Sequence, residues 1–110
     1  ETLPAPAPYF EMVPEFVINL APESEQSYLV VKISLMTRDE SIFEIIKANN
    51  PLLRSLIIET LTSKVSQDLR SFDGKKKLKQ EILTQLQQFI RQESGVVGVE
   101  QILFTHFIME

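Results

Sequence analysis

Lys75, Lys76, Lys77 and Lys79 crowd together directly after Ser71-Phe72-Asp73-Gly74. Such a cluster can hold an anion or an acidic partner through charge-assisted hydrogen bonds. If the segment opens a helix, each cation near its first turn also opposes the macrodipole by roughly 0.3–1 kcal/mol. The ordinary reading is a solvated helix face, with Glu81 one turn beyond Lys77 as a partner. No aromatic residues interleave the lysines, so they do not form a stacking platform for single-stranded nucleic acid. Asp39, Glu40 and Glu44 are the second candidates, as carboxylates for a hard cation or for acid–base work. Calcium needs about six to eight oxygens from a shaped loop, and no EF-hand spacing is present. Acidic residues at a helix N-terminus explain them more simply. His106 is the third candidate, as a general base. It has neither a nucleophile motif nor an orienting acid beside it, and fits an ordinary strand position.

Whole reaction classes are missing. Gly74, Gly95 and Gly98 are the only glycines, and none belongs to a phosphate-binding loop or a nucleophile elbow. With no cysteine, thiol chemistry, disulfides and zinc ribbons are excluded, and with one histidine a transition-metal site would be almost all carboxylate, which poorly suits zinc or copper. No cofactor is expected. A formal charge of -4 gives no general attraction to nucleic acid or to anionic lipid. The 110 residues suit one domain. Roughly a third of them are Leu, Ile, Val or Phe, enough for a core. No apolar run reaches the ~18–20 residues of a membrane span. The first residue is Glu1, so the sequence is expected to continue upstream.

The elements that must carry these residues are read from periodicity. Residues 1–14, with Pro4, Pro6, Pro8 and Pro14, are expected to form an extended tether leading to one domain over 15–110. Phe16, Ile18 and Leu20 alternate, as in a half-buried strand. After a polar turn, Leu29, Val31, Ile33 and Leu35 form the apolar face of a second strand, antiparallel to the first. A capping box from Thr37 to Glu40, with Asp39 as the rival cap, opens a helix through Ile42, Phe43, Ile45 and Ile46. Asn50 caps a second helix with Pro51 in its first turn, and its stripe runs from Leu52 to Leu69. Ser71 or Asp73 caps a third, with Leu78, Ile82, Leu86, Phe89 and Ile90 inward and Gly95 as C-cap. In a last strand, Val97, Val99, Leu103, Phe107 and Met109 share one face and Ile102, Phe104 and Ile108 the other. The fold is α+β in the order β-β-α-α-α-β, a small antiparallel sheet with helices on one face. Leu56, Ile57, Leu61 and Phe104 are expected between helix and sheet.

Four segments together resemble one family. The run from Tyr9 to Leu20 is similar to the Tyr…Pro-x-Phe-Val-Val-Asn-Leu entry motif of the FliL family of flagellar basal-body-associated proteins. Tyr28 to Leu35 resembles its second strand. Gly74-Lys75-Lys76-Lys77-Leu78-Lys79-Gln80-Glu81-Ile82 resembles the opening of its last helix, and Val99 to Met109 its closing strand. Ile18 in place of the commoner Val and the richer lysine run are small departures. Gly74-Lys75 then reads as helix initiation rather than ligand binding.

The resemblance implies a periplasmic domain with a stomatin-like (band 7) core, on a single-pass inner-membrane protein beside the flagellar stator. It implies no catalysis, with stator subunits, the basal body and further copies in a ring as partners. Contact with the membrane would be only through an upstream anchor. The lysines and the Asp39, Glu40 and Glu44 group are then candidate complementary contact patches. The alternatives are a small ligand- or ion-binding module using the same residues and a hydrolase centred on His106. The proline tether generates a first prediction. Deleting residues 1–8 should leave the melting temperature nearly unchanged, because the segment has little apolar surface to bury. A drop of several degrees in a thermal melt would show that it packs on the domain.

Overall fold

The computed structural model describes residues 9–96 and 98–110. The expected tether over residues 1–8 and the placement of Val97 lie outside them. Three strands, β1 (Tyr9–Asn19), β2 (Tyr28–Met36) and β3 (Gln101–Met109), form one antiparallel sheet in the order β1-β2-β3. Between β2 and β3 run helices α1 (Glu40–Ala48), α2 (Asn50–Thr62), α3 (Ser66–Leu69) and α4 (Phe72–Ser94). The α+β order expected from the sequence holds, with the short α3 as an added turn.

The central strand organises the core. Leu29, Val31, Ile33 and Leu35 are wholly buried, and directly opposed residues in antiparallel strands point to the same side. Four apolar rungs therefore cross the sheet: Ile18–Leu29–Met109, Phe16–Val31–Phe107, Met12–Ile33–Phe104 and Phe10–Leu35–Ile102. The inward stripes of α1, α2 and α4 close this face through Ile42, Ile46, Leu53, Ile57, Leu61, Leu78, Ile82, Leu86 and Ile90. Leu56 and Phe104, expected in the core, are only partly buried at its margin.

Two bulges change the expected strands. In β1 the register shifts between Met12 and Phe16, so Val13, Pro14 and Glu15 loop out opposite one residue of β2. The Val13–Pro14 peptide is cis. Pro14 has no N–H for the ladder and is tolerated because β1 is an edge strand and Pro14 lies in a bulge. Arg54 holds this bulge to α2. Its Nη1 donates to the Pro14 carbonyl at 2.7 Å, and its guanidinium lies 4.0 Å from the centroid of Phe16. Burial lowers its pKa from the ordinary value. The strand thus begins at Tyr9 rather than Glu15, and the tether boundary placed at Pro14 falls inside it. In β3 the shift lies between the partners of Lys32 and Ile33, which leaves Thr105 as the extra residue. Strict alternation would separate Phe104 from Phe107. The bulge instead puts Ile102, Phe104, Phe107 and Met109 on the inner face and Leu103 and Ile108 on the outer.

The helix ends also differ. The stripe from Leu52 to Leu69 is not one helix, because α2 stops at Thr62. Thr62 and Ser63 donate their hydroxyls to the carbonyls of Glu59 and Thr60, and such back-bonding competes with helix continuation. The loop joining β1 to β2 docks on the break: Ala21 N–H donates to the Lys64 carbonyl and Ser66 N–H to Ser24 Oγ. Leu69 is still buried, carried there by α3, whereas Leu52 is exposed. Asn49, not Asn50, caps α2, and its Nδ2 donates back to Ile45 of α1. Gly95, with φ 81°, ends α4 as expected.

A second prediction follows from this packing. Leu61 is wholly buried beneath the sheet, so Leu61→Ala should cost about 2–5 kcal/mol in urea denaturation, through lost transfer energy and a residual cavity. A loss below about half a kcal/mol would place Leu61 outside the core.

Candidate functional site

The lysine cluster stands on a closely fitted helix start. Ser71 is extended (φ -81°, ψ 155°), and its Oγ accepts from the Gly74 N–H at 2.9 Å, so Ser71 rather than Asp73 caps α4. At Gly74 a Cβ would lie 1.7 Å from the Asp68 carbonyl oxygen of α3. Only glycine lets α3 approach α4 so closely. The reading of Gly74-Lys75 as a helix opening therefore acquires a steric cause.

Helical geometry then divides the lysines. Lys75, Lys76 and Lys79 line a hollow of about 350 Å³ with Phe72, Phe104 and Phe107. Lys75 Nζ lies 5.2 Å from the Phe107 ring centroid and donates to the Arg70 carbonyl at 3.2 Å. Lys79 Nζ lies 6.0 Å from the ring of Phe104. The two rings are tilted against each other with centroids 5.5 Å apart. Each ammonium-over-ring contact contributes about 0.5–1 kcal/mol at an exposed site, which offsets the unfavourable helix dipole. Phe72, 80% exposed, stands at the rim. Lys76 and Lys79 also line a second hollow of about 260 Å³, with Leu83, Gln101 and Ile102.

Lys77 projects elsewhere, into a hollow of about 480 Å³ that it shares with Lys64, Asp68, Asp73 and Glu81. Its expected partner Glu81 instead accepts from Lys64 at 2.8 Å, an ion pair that joins the end of α2 to α4. Among the described residues, no carboxylate lies within ion-pair distance of Lys75, Lys76, Lys77 or Lys79.

Of the acidic candidates, Glu40 and Glu44 lie toward the opposite edge of the sheet, beside Tyr9 and Phe10 of β1. Asp39 caps α1, accepting from the Ser41 hydroxyl at 2.6 Å and the Ser41 N–H at 3.0 Å. These two bonds, the hydroxyl's first, hold its pKa below the ordinary value. Of the two caps weighed from the sequence, the structure uses Asp39. Glu40 and Glu44 border a hollow of about 350 Å³ with Tyr9, Phe10, Phe43 and Lys47. The Phe10 and Phe43 rings stack there with centroids 5.9 Å apart, and Glu44 lies 3.7 Å from Lys47. No group of three potential metal ligands gathers among the described residues. His106 is exposed on the outer sheet face, opposite Lys32. The lysines and the acids do not meet within one molecule.

The sequence reading missed the aromatic members of both hollows. For Phe104 and Phe107 a signal existed. Two aromatic residues three apart in a strand share a face only if a residue between them is extruded.

The family model of the flagellar basal body-associated protein FliL matches residues 9–109. The chain belongs to the FliL family. It is 27% identical over 101 residues to the flagellar protein FliL of Aquifex aeolicus (strain VF5), an alignment that takes in 92% of this chain. The chain spans 60% of that relative's length. In the FliL-family chain described here, the entry segment from Tyr9 is strand from its first residue. The closing strand carries the bulge that builds the aromatic floor. No helix among the described residues is long and apolar enough to cross a membrane.

The steric role of Gly74 is directly testable. Alanine is the better helix former by about 1 kcal/mol, yet Gly74→Ala should destabilise the domain by about 1–3 kcal/mol through overpacking against Asp68. Lys75→Ala beside it should be nearly neutral. Equal or greater stability of Gly74→Ala in urea denaturation would show that α3 yields freely.

Proposed function

We propose that this domain is a non-enzymatic accessory of the flagellar motor, held in the periplasm by a membrane anchor upstream of Glu1 and lying beside the stator. There it assembles with further copies and supports stator engagement and torque. The observation that carries the reading is membership of the FliL family over residues 9–109. The use of the polar side chains agrees with it. Asp39 serves as a helix cap, while Glu25, Glu81 and Glu100 pair with Arg70, Lys64 and Arg38. The stomatin-like core belongs to the same reading.

Anchoring supplies the driving force for assembly. The net charge of -4 makes free copies repel mildly, and no long coiled-coil seam among the described residues overcomes that. Short tethers raise the effective concentration to about the millimolar range. An interface worth about 4 kcal/mol is then substantially occupied. Contacts of this kind are modest and partly polar, and salt weakens them because exposed charges are screened within about 8–10 Å.

The experiment combines sedimentation of the isolated domain with crosslinking of the membrane-anchored protein and swimming assays. The free domain should be monomeric or weakly associating at micromolar concentration, with association falling as salt rises. The anchored form should crosslink to itself and to stator subunits, and its loss should reduce swimming speed. A salt-resistant oligomer at nanomolar concentration would overturn the tether argument. Wild-type swimming under load without the protein would overturn the accessory role.

A further inference from the structure

The hollow between the start of α4 and β3 brings aromatic, cationic and open-edge features together in one place. Its floor is the Phe104–Phe107 pair, brought to one face by the bulge at Thr105. Its wall carries Lys75, Lys76 and Lys79, which have no carboxylate within ion-pair distance among the described residues. Phe72 at its rim is 80% exposed, although burying so large an apolar side chain is favourable. Along one side runs β3, the last strand in the order β1-β2-β3, with no strand beyond it among the described residues. The backbone N–H and C=O groups on that outer side are the kind that pair with an added extended chain.

We propose that this groove binds an extended acidic segment of a partner protein. The segment would lie along β3, set an aromatic or large aliphatic side chain against Phe72, Phe104 and Phe107, and place carboxylates on Lys75, Lys76 and Lys79. Shape and charge choose this occupant. A second copy offers acids on α1, Glu40 and Glu44, and on its edge strand β1, Glu11 and Glu15. The bulge between Met12 and Phe16 interrupts that strand's ladder, and both of those apolar side chains are buried in their own core, so β1 cannot supply the large apolar side chain that fills the hollow. A bilayer surface is flat, whereas the aromatic floor is recessed beneath the lysines. An extended chain presents side chains alternately at the spacing of a strand. It can therefore reach both this hollow and the neighbouring one beside Leu83 and Ile102. The proposal deepens the accessory reading by naming the kind of segment the domain holds.

The test is fluorescence anisotropy with a labelled peptide alternating Asp or Glu with Phe or Leu, alongside the same peptide with Lys for each acid. The acidic peptide should bind saturably, and salt should weaken it. The basic peptide should not bind. The double variant K75E/K79E should lose about ten-fold or more in affinity, since two attractive charges become repulsive. F72S should lose several-fold with the salt dependence retained. All three positions lie at the surface, and thermal melts check that each variant is folded. Equal binding by K75E/K79E, or no binding up to millimolar peptide, would overturn the proposal. So would Lys75- and Lys79-dependent pelleting with phosphatidylglycerol vesicles, or Lys75- and Lys79-dependent self-association, where the peptide does not bind. Peptide binding can fail while swimming still depends on the protein, and the reverse, so the groove and the accessory role are tested separately.

Discussion

A three-stranded sheet has little stability until one of its faces is covered, and here that demand falls on β2. Its inward residues are wholly buried, and each is the middle of a rung completed by an apolar residue of β1 and another of β3. Burying one such side chain is worth about 1.5–3 kcal/mol, so losing the register of either neighbour would remove several of these contributions together. Both bulges maintain the rungs. β1 extrudes Val13, Pro14 and Glu15 so that Met12 and Phe16 both face inward, and β3 extrudes Thr105 for Phe104 and Phe107. The sheet accepts irregular edges in return for a continuous apolar face.

The same constraint explains which parts of the fold were legible. β2 was read correctly because its alternation has no interruption and its pairing partners lie on both sides. The inward stripes of α1 and α4 were equally plain, since Ile42, Ile46, Leu78, Ile82, Leu86 and Ile90 keep helical spacing throughout. The beginning of β1 was not, because Pro14 signals a linker when its bulge is invisible. In β3 a two-residue period assigns Leu103 and Phe107 to one face, and one extruded residue reverses half of that assignment. The end of α2 was hidden for a different reason. The apolar spacing continues to Leu69, but the hydroxyls of Thr62 and Ser63 and the docking of the loop that carries Ser24 decide where the helix stops. Local pattern carries no information about a contact some forty residues away.

At the candidate site, charge was legible and surroundings were not. The lysines stand out in the sequence, but their division into Lys75, Lys76 and Lys79 on one side and Lys77 on the other depends on where β3 lies. The acids show the complementary case. Asp39 carries chemistry in principle, and its two bonds from Ser41 make it a helix cap. Glu81, expected beside Lys77, is drawn across to Lys64. The pairing inferred along α4 yields here to one between α4 and the turn that follows α2.

The position of the groove follows from these fits rather than from the lysines themselves. Gly74 admits the Asp68 carbonyl against α4, and Ser71 fixes the first turn. The bulge at Thr105 then raises two rings beneath the side chains that this turn presents. None of these devices lies in a free loop, so the groove is assembled when the core folds and needs little ordering afterwards. A preformed concavity loses less conformational entropy on binding than a mobile one. The groove at the β3 edge is cationic and aromatic, while the hollow at the β1 edge is acidic and aromatic. Between them lies a sheet held in register by four apolar rungs. The two hollows therefore keep a fixed separation, because moving either edge would break the rungs that close the core.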